Sequence, residues 1–458
     1  MLPPVRRERL LPSSSGYVKH SFKENKTHSR ALTPEFAQDE DSPQNTKGHP
    51  VLHGVFSNTS IAYTCQLPLH PLGCRLMNIP CTYDAVALFS GGLDSILAAR
   101  LIQDQGLTVK CLHFTSSFFG KPESVNHWRK IYGLDIEAVD ISEDFADMLA
   151  ARPAHGFGKV LNPCIDCKII MMRRAISIMR ELGADILVSG EVLGQRPMSQ
   201  RRDTLNVIRR DAGARNFLIR PLSARLLEET PAEASGKIDR SRLGAISGRG
   251  RKEQLALAAS LGITEIPTPA GGCRLTEKEN GRSYWPILKY SAHPTANDFD
   301  LANTGRQYWH FPNPDLPPLH LCIGRDQADN GRLLNLARPG DFVFKIASFP
   351  GPVSLGRPFP DQTWSENAIA AAAAFTASFS PKAARFAAEK GCLVQVKVHT
   401  GPDYDAVLRP IEEYAAPTMT VSPARDPHWR EFLWEIAREE IRAEIRERAG
   451  VHILSSEE

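Results

Sequence analysis

The stretch from Asp84 to Gly190 constrains the fold most, because short apolar runs alternate there with segments of helical periodicity. AVALF (85–89) reads as a strand and Ile96 to Asp104 as a helix, and LTVKCLHF (107–114) and LDIEAVDI (134–141) read as further strands. Cys167 to Leu182 carries an amphipathic helical pattern, and ADILVSG (184–190) is a fourth strand ending in Ser189-Gly190. Strands that alternate with helices of about 10 to 15 residues predict a parallel α/β sheet covered on both faces. Ligands of such sheets bind at the C-terminal strand ends.

FSGGLDS (89–95) lies at one of those ends. Adjacent glycines let the backbone approach an anion, successive N–H groups point at it, and the helix N-terminus adds partial positive charge. Ser90 and Ser95 offer hydroxyls. A carboxylate such as Asp94 is repelled by phosphate unless Mg²⁺ or a proton stands between them, so metal-assisted nucleotide chemistry is expected. No Gly-Lys-Ser/Thr follows and no GxGxxG is present, which excludes a Walker A loop and a dinucleotide fingerprint. The bland alternative is a plain turn with an aspartate in the first helical turn.

Two cysteine motifs carry the next signal, Asn162-Pro-Cys-Ile-Asp-Cys-Lys168 and Ala270-Gly-Gly-Cys-Arg-Leu-Thr276. Cys164 near a helix N-terminus, with Lys168 one turn on, is expected to hold more thiolate than a free cysteine. That suits a persulfide carrier and an iron–sulfur ligand equally, while buried small hydrophobes are the bland reading. A structural zinc would need a fourth ligand, and His155 is poorly spaced for it.

At 458 residues the chain predicts two or three folding units. Its net charge of +3 means that any nucleic-acid surface must be local. Arg196, Arg201, Arg202, Arg209 and Arg210 crowd one segment, and Arg240, Arg242, Arg249, Arg251 and Lys252 another. Either run is as readily a solvated face. The 9 cysteines are dispersed and no secretory apolar core follows a basic start, so a disulfide framework is excluded and a reducing cytoplasm is expected. No apolar run of about 18 residues occurs, which argues against a membrane span.

Residues 1–76 are rich in Pro, Ser, Thr, Asn and charge, and are expected as a disordered or spurious leader ahead of Met77. Acidic Glu35, Asp39, Glu40 and Asp41 count against a targeting peptide. A catalytic domain is expected at 77–290, a Pro/Asn-rich linker at 291–319 and a smaller α+β domain at 320–425 containing the helix ENAIAAAAAFTASFS and the strand LVQVKVH. Residues 426–458 are expected as a charged tail whose Trp429 to Arg448 forms a solvated amphipathic helix.

In its strand-to-helix setting, SGGLDS resembles the signature of the PP-loop ATP pyrophosphatases, of the adenine nucleotide alpha hydrolase type with a Rossmann-like sheet. The resemblance implies that Ser90, Gly91, Gly92, Asp94 and Ser95 hold the phosphates of ATP and Mg²⁺, with His113-Phe114-Thr115 and Gly190 also at the nucleotide. Together with NPCIDCK and Ser189-Gly190-Glu191, the loop is similar to the tRNA thiolation branch, which includes the 2-thiouridylases and 4-thiouridine synthases. That likeness implies an ATP-dependent tRNA sulfurtransferase. Such an enzyme adenylates a uridine carbonyl oxygen and replaces it with sulfur from sulfide or a persulfide carrier protein.

In the 2-thiouridylases a cysteine of the Asn-Pro-Cys motif carries the persulfide and a second one, about a hundred residues on, closes a disulfide. Cys164 matches the first and Cys273 stands in the place of the second, with different flanking residues. Another thiolase branch holds a [4Fe–4S] cluster on three cysteines. Cys164, Cys167 and Cys273 fit that count better, because Cys167 would otherwise be idle. Over 320–400, IGRDQADNGRLLNLARPGDFVF, FPGPVSLGR and VQVKVH resemble the RNA-binding domain of the NFACT proteins, with Lys345-Ile-Ala-Ser-Phe349 in place of the usual aromatic-His element. That favours an RNA substrate. Two rivals stand beside this reading. A small-molecule ligase like the queuosine-pathway nitrile synthase would want a four-cysteine zinc cluster, and a non-catalytic RNA-binding adaptor would not need Ser90, Asp94 and Ser95.

Overall fold

The computed structural model describes residues 83–268, 272–313 and 316–454, so the expected leader lies outside the described residues. The first half runs β1 (Ala85–Leu88), α1 (Leu93–Gln103), β2 (Val109–Thr115), α2 (Val125–Tyr132), β3 (Asp135–Asp140), α3 (Ser142–Ala151), α4 (Cys164–Glu181), β4 (Ile186–Ser189), α5 (Arg202–Asp211) and β5 (Leu218–Ile219). The five strands are parallel in the order β3-β2-β1-β4-β5. The continuous apolar run of β1 follows from its central place. Val86 and Leu88 enter one core while Ala85, Ala87 and Phe89 enter the other.

This strand order creates a crevice. The chain steps outward from β1 to β2 and β3, then returns to lay β4 on the other flank of β1. Connections therefore diverge between the C-terminal ends of β1 and β4, where doubly wound sheets take their ligands. FSGGLDS leaves β1 there, and Ser189-Gly190-Glu191 leaves β4 there. Helix α1 starts three residues before the apolar pattern because extended Gly92 (φ −90°, ψ 158°) is its N-cap, which sets Asp94 in the first turn.

The second half adds α6 (Pro231–Ala234), α7 (Lys252–Ser260), α8 (Lys278–Tyr290), α9 (Ala296–Ala302), β6 (Arg306–His310), β7 (Leu319–Ile323), α10 (Gln327–Leu336), β8 (Phe342–Ile346), β9 (Val353–Arg357), α11 (Glu366–Ala377), α12 (Pro381–Lys390), β10 (Val394–His399), β11 (Thr418–Val421) and α13 (Trp434–Leu454). Its six strands form an antiparallel sheet in the order β11-β10-β8-β9-β7-β6. Alternation assigns the two faces: Leu321, Ile323, Phe344 and Ile346 pack with α11, whereas Cys322 and Val343 pack with Leu333 and Val407.

Two expectations need correction. Residues 291–319 are not simply a linker, since they contain α9 and the edge strand β6. A capping box at Thr295 and Asp298 starts α9. Buried Arg357 of β9 then ties the helix to the sheet, at 3.1 Å to Asp298 and 2.7 Å to Asp341. The second correction concerns α13, expected as a solvated amphipathic helix over Trp429 to Arg448: it runs Trp434–Leu454, and its apolar stripe is buried instead of left to solvent. Ala437 and Ile441 are buried against the parallel-sheet core, while Ile436 and Ile445 are exposed. Glu440 accepts from Trp285 Nε1 at 2.6 Å and Lys289 Nζ at 2.9 Å on α8, and Glu444 pairs with Arg152 at 2.7 Å. Among the described residues no helix is long and apolar enough to cross a membrane.

Candidate functional site

The Ser90–Ser95 loop is stapled from within. Ser95 Oγ accepts from the Ser90 N–H at 3.2 Å and from Ser90 Oγ at 3.2 Å, and donates to the Gly92 carbonyl at 2.8 Å. Its hydroxyl thus shapes the loop, and Ser95 is buried. Exposed Ser90 also receives the Gly92 N–H at 3.3 Å. Gly91 adopts φ +76°, and a Cβ there would come within 2.5 Å of the Trp128 ring, so both its handedness and its lack of side chain are used. No side chain caps the first turn of α1. Its N–H groups remain suited to an anion.

Asp94 aims a carboxylate into this region. Oδ2 accepts from Gln195 Nε2 at 3.0 Å, while Oδ1 is buried with no partner among the described residues. An orphaned carboxylate oxygen next to a phosphate cradle fits a hard cation such as Mg²⁺.

Gly190 sits where β4 meets α1. A Cβ at Gly190 would lie 2.7 Å from the Asp94 carbonyl and from Ser95 Cα, both main-chain atoms that cannot rotate away. Gly190→Ala is therefore expected to cost about 1–3 kcal/mol of stability and to weaken ATP binding. Thermal unfolding with and without ATP and Mg²⁺ checks this, and an unchanged melting curve with an unchanged ATP shift would contradict it.

His113 and Phe114, expected at the adenine, both have their side chains engaged within the protein. The Phe114 ring is packed into the sheet core. His113 Nε2 accepts from the Lys121 N–H at 2.9 Å, so Nδ1 carries the proton and donates to the Phe89 carbonyl at 3.0 Å. Burial pushes the His113 pKa below its ordinary value, consistent with a neutral strut between β1 and the loop after β2. Trp128 covers that strut edge-on at 4.9 Å between ring centroids.

Cys164 is the first residue of α4. Asn162 Nδ2 donates to its Sγ at 3.2 Å, and the Val160 N–H donates to Asn162 Oδ1 at 3.3 Å, which fixes which end of the amide faces the sulfur. The same Nδ2 lies 3.6 Å from Met198 Sδ. Met198 and Gln195 share one turn-rich segment, so this segment contacts both the Asp94 carboxylate and the Asn162 amide that holds Cys164.

Cys167 and Cys273 both pack against the same hydrophobic core. Burial pushes the Cys167 thiol up to about 12, with the charges of Cys273 and Cys164 acting in the same direction despite Lys168. Burial also raises Cys273, which Cys164 raises further against the N–H of Leu275. The three cysteines thus lie within electrostatic reach of one another. Even so, among the described residues no three His, Cys, Asp or Glu side chains are arranged to hold a metal ion, so the trio fits a cluster in donor type but not in its present arrangement. His155 is engaged elsewhere, between Asp166 at 3.0 Å and Asp211 at 3.1 Å.

Beyond Cys273 a cleft of about 420 Å³ opens, lined by Ser116, Ser117, Arg274, Asp300, Asn303 and Arg332 among others. Asn303 joins its walls, accepting from Arg274 Nη1 at 3.1 Å and donating to the Ser117 carbonyl at 2.7 Å.

The arginine runs separate on inspection of their partners. Arg201, Arg209, Arg210, Arg240 and Arg242 are engaged by Asp203, Glu228, Asp211, Glu233 and Asp104. Arg196, Arg249 and Lys252 are exposed. The segments that carry them run side by side, with the Gly248 N–H donating to the Leu193 carbonyl at 2.7 Å. One strip of cation therefore borders the loop that touches Asp94.

Comparison with known proteins agrees with the parallel-sheet half. Residues 81–229 match the family model described as thiamine biosynthesis protein (ThiI). A probable tRNA sulfurtransferase of Thermococcus kodakarensis is 31% identical over 115 residues, 24% of this chain and 30% of that protein. One from Treponema pallidum subsp. pallidum is 30% identical over 142 residues, 29% of this chain and 34% of that protein. The chain thus spans about a third of the length of the curated relatives it matches. Among solved structures, a predicted subunit of tRNA methyltransferase from Methanocaldococcus jannaschii is 18% identical, with 31% of this chain and 69% of that chain covered at a TM-score of 0.24. The C-terminal part of the fibronectin/fibrinogen-binding protein of Streptococcus suis is 11% identical, with 73% and 94% covered at a TM-score of 0.20. At these scores nothing further follows for this chain.

Proposed function

We propose that the chain is an ATP-dependent tRNA sulfurtransferase acting in a reducing cytoplasm, a reading supported by the match of residues 81–229 to the ThiI family model and by the likeness to two probable tRNA sulfurtransferases. The observation that carries this reading is the Gln195–Met198 segment, which touches the nucleotide-side carboxylate and the amide beside the candidate sulfur carrier. The loop at 90–92 and the first turn of α1 hold the ATP phosphates, and Asp94 Oδ1 is the ligand free for Mg²⁺. Magnesium, when bound, neutralises charge that develops on the departing pyrophosphate.

A uridine carbonyl oxygen attacks the α-phosphorus of ATP and pyrophosphate leaves. The base oxygen is then part of a good leaving group. The terminal sulfur of a Cys164 persulfide, loaded by a sulfur donor, attacks the activated carbon. The C–S bond forms, the C–O bond breaks, and AMP leaves with the oxygen. The Asn162 amide hydrogen bond to Cys164 Sγ orients that side chain. Cys273, after losing its proton, attacks Cys164 Sγ and releases the thiouridine. The Cys164–Cys273 disulfide is reset by an external dithiol. The exposed strip of Arg196, Arg249 and Lys252 supplies contacts for tRNA phosphates.

A second reading is favoured by one observation, the desolvated Cys167 thiol within reach of both other cysteines. Under it, Cys164, Cys167 and Cys273 would hold a [4Fe–4S] cluster only after moving from their present arrangement, and the cluster would supply a binding site for sulfide. The test of the function itself is a reaction with unmodified tRNA transcript, ATP, Mg²⁺ and a sulfur donor, followed by nucleoside mass spectrometry. Thiouridine and AMP are expected in equal amounts. ATP cleavage without thiouridine, under both sulfide and persulfide supply, would exclude sulfur transfer to tRNA.

A further inference from the structure

On the face of the antiparallel sheet opposite α11, two lysines stand directly across from each other. Lys345 of β8 and Lys397 of β10 are register partners, so their side chains project from the same face. Like charges so placed are destabilising unless something of opposite sign lies between them. Among the described residues no carboxylate does so. Lys345 Nζ donates to the Gly351 carbonyl at 2.5 Å, and Lys397 Nζ donates to the Val407 carbonyl at 3.2 Å and to that of Arg409. An ammonium carries three donors, so Lys345 uses one of its set and Lys397 two.

Lys397 is only 3% exposed. Both lysines line a cleft of about 400 Å³ with Ser348, Phe349, Leu408 and Arg409. Burial pulls both amines below the ordinary lysine value, each lysine being further affected by its surroundings: Lys345 by the Lys397 charge, and Lys397 in the opposite sense by Glu412. Such a pair is costly to keep charged and empty. A tetrahedral dianion or a phosphodiester would fill the free donors and relieve the repulsion.

We propose that the Lys345–Lys397 cleft is a phosphate-binding site, separate from the nucleotide crevice. It does not depend on sulfur transfer, and only the choice of a polynucleotide as the source of the phosphate rests on the reading above. Lys345 is the residue to change, because it is half-buried and its loss leaves the Lys397 contacts in place.

Binding of a fluorescein-labelled oligoribonucleotide to the full chain is measured against salt for the wild type and Lys345→Met, with and without inorganic phosphate. The variant is expected to bind about 10-fold more weakly or worse, with a salt slope lower by about one. Wild-type affinity and slope in a folded Lys345→Met would overturn the site. Competition by millimolar inorganic phosphate, lost in the variant, assigns the site to free phosphate as well. Lysine-dependent binding that phosphate does not compete for assigns it to the polynucleotide backbone. Lys397→Arg, which keeps the charge, guards against a folding artefact: it is expected to bind within a few-fold of wild type, and a loss equal to that of Lys345→Met with an intact melting curve would contradict a simple charge role.

Discussion

Asp94→Asn is expected to lower tRNA-dependent pyrophosphate release by about 10²- to 10³-fold, the usual effect of removing one electrostatic contact made to the reacting phosphates. The substitution preserves shape. An asparagine oxygen can still accept from Gln195 Nε2, which lies 3.0 Å from Oδ2, so the loop keeps its anchor. What disappears is the negative charge on Oδ1, a buried oxygen that has no partner among the described residues. The variant puts a neutral amide where a buried, unpartnered charge stood, which removes the desolvation cost of that charge, so it should melt at or above the wild-type temperature. A pyrophosphate-release assay and a melting curve together decide the matter. Full turnover would show that Asp94 is a helix-turn aspartate and nothing more, while lost turnover with a collapsed fold would mark it as structural.

The second large effect lies at the cysteines. Cys164→Ser is expected to cut thiouridine formation by more than about 10³-fold, as loss of a covalent nucleophile does, and AMP release with it, while adenylation of tRNA, read as tRNA-dependent pyrophosphate release, persists. Cys273→Ser separates the steps further. In the persulfide route the transferred sulfur cannot be released, so tRNA should accumulate as a thiol-cleavable adduct on Cys164. Cys167→Ala is expected to remain active by that route, because a thiol pushed up to about 12 is protonated at neutral pH and supplies no nucleophile. Loss of activity in Cys167→Ala, with iron and acid-labile sulfide in the anaerobically purified wild type, would move the chemistry to a cluster.

The parallel half was legible in the sequence because its signals are local. A buried central strand, a glycine pair at its end and a following helix declare themselves within about 20 residues, and the strand order then decides where they meet. The residues that complete the site carry no such mark. Trp128 closes on Gly91 and Gln195 holds Asp94, yet each reaches its partner only through the tertiary fold. Motif position likewise does not tell that the Ser95 hydroxyl is bonded within the loop or that the Phe114 ring is turned into the core. Helix α9 was hidden by its Pro- and Asn-rich surroundings, although the Thr295–Asp298 spacing of a capping box could have revealed it. In α13 the alternating charges masked the apolar stripe of Ala437 and Ile441.

The central claim is that this chain activates a base oxygen by adenylation and discards it with AMP. A tRNA transcript labelled with ¹⁸O at the uridine carbonyls, incubated with ATP, Mg²⁺ and a sulfur donor, tests it at the level of the bond that breaks. The account predicts one ¹⁸O atom in AMP for each thiouridine formed. Unlabelled AMP alongside thiouridine would contradict it.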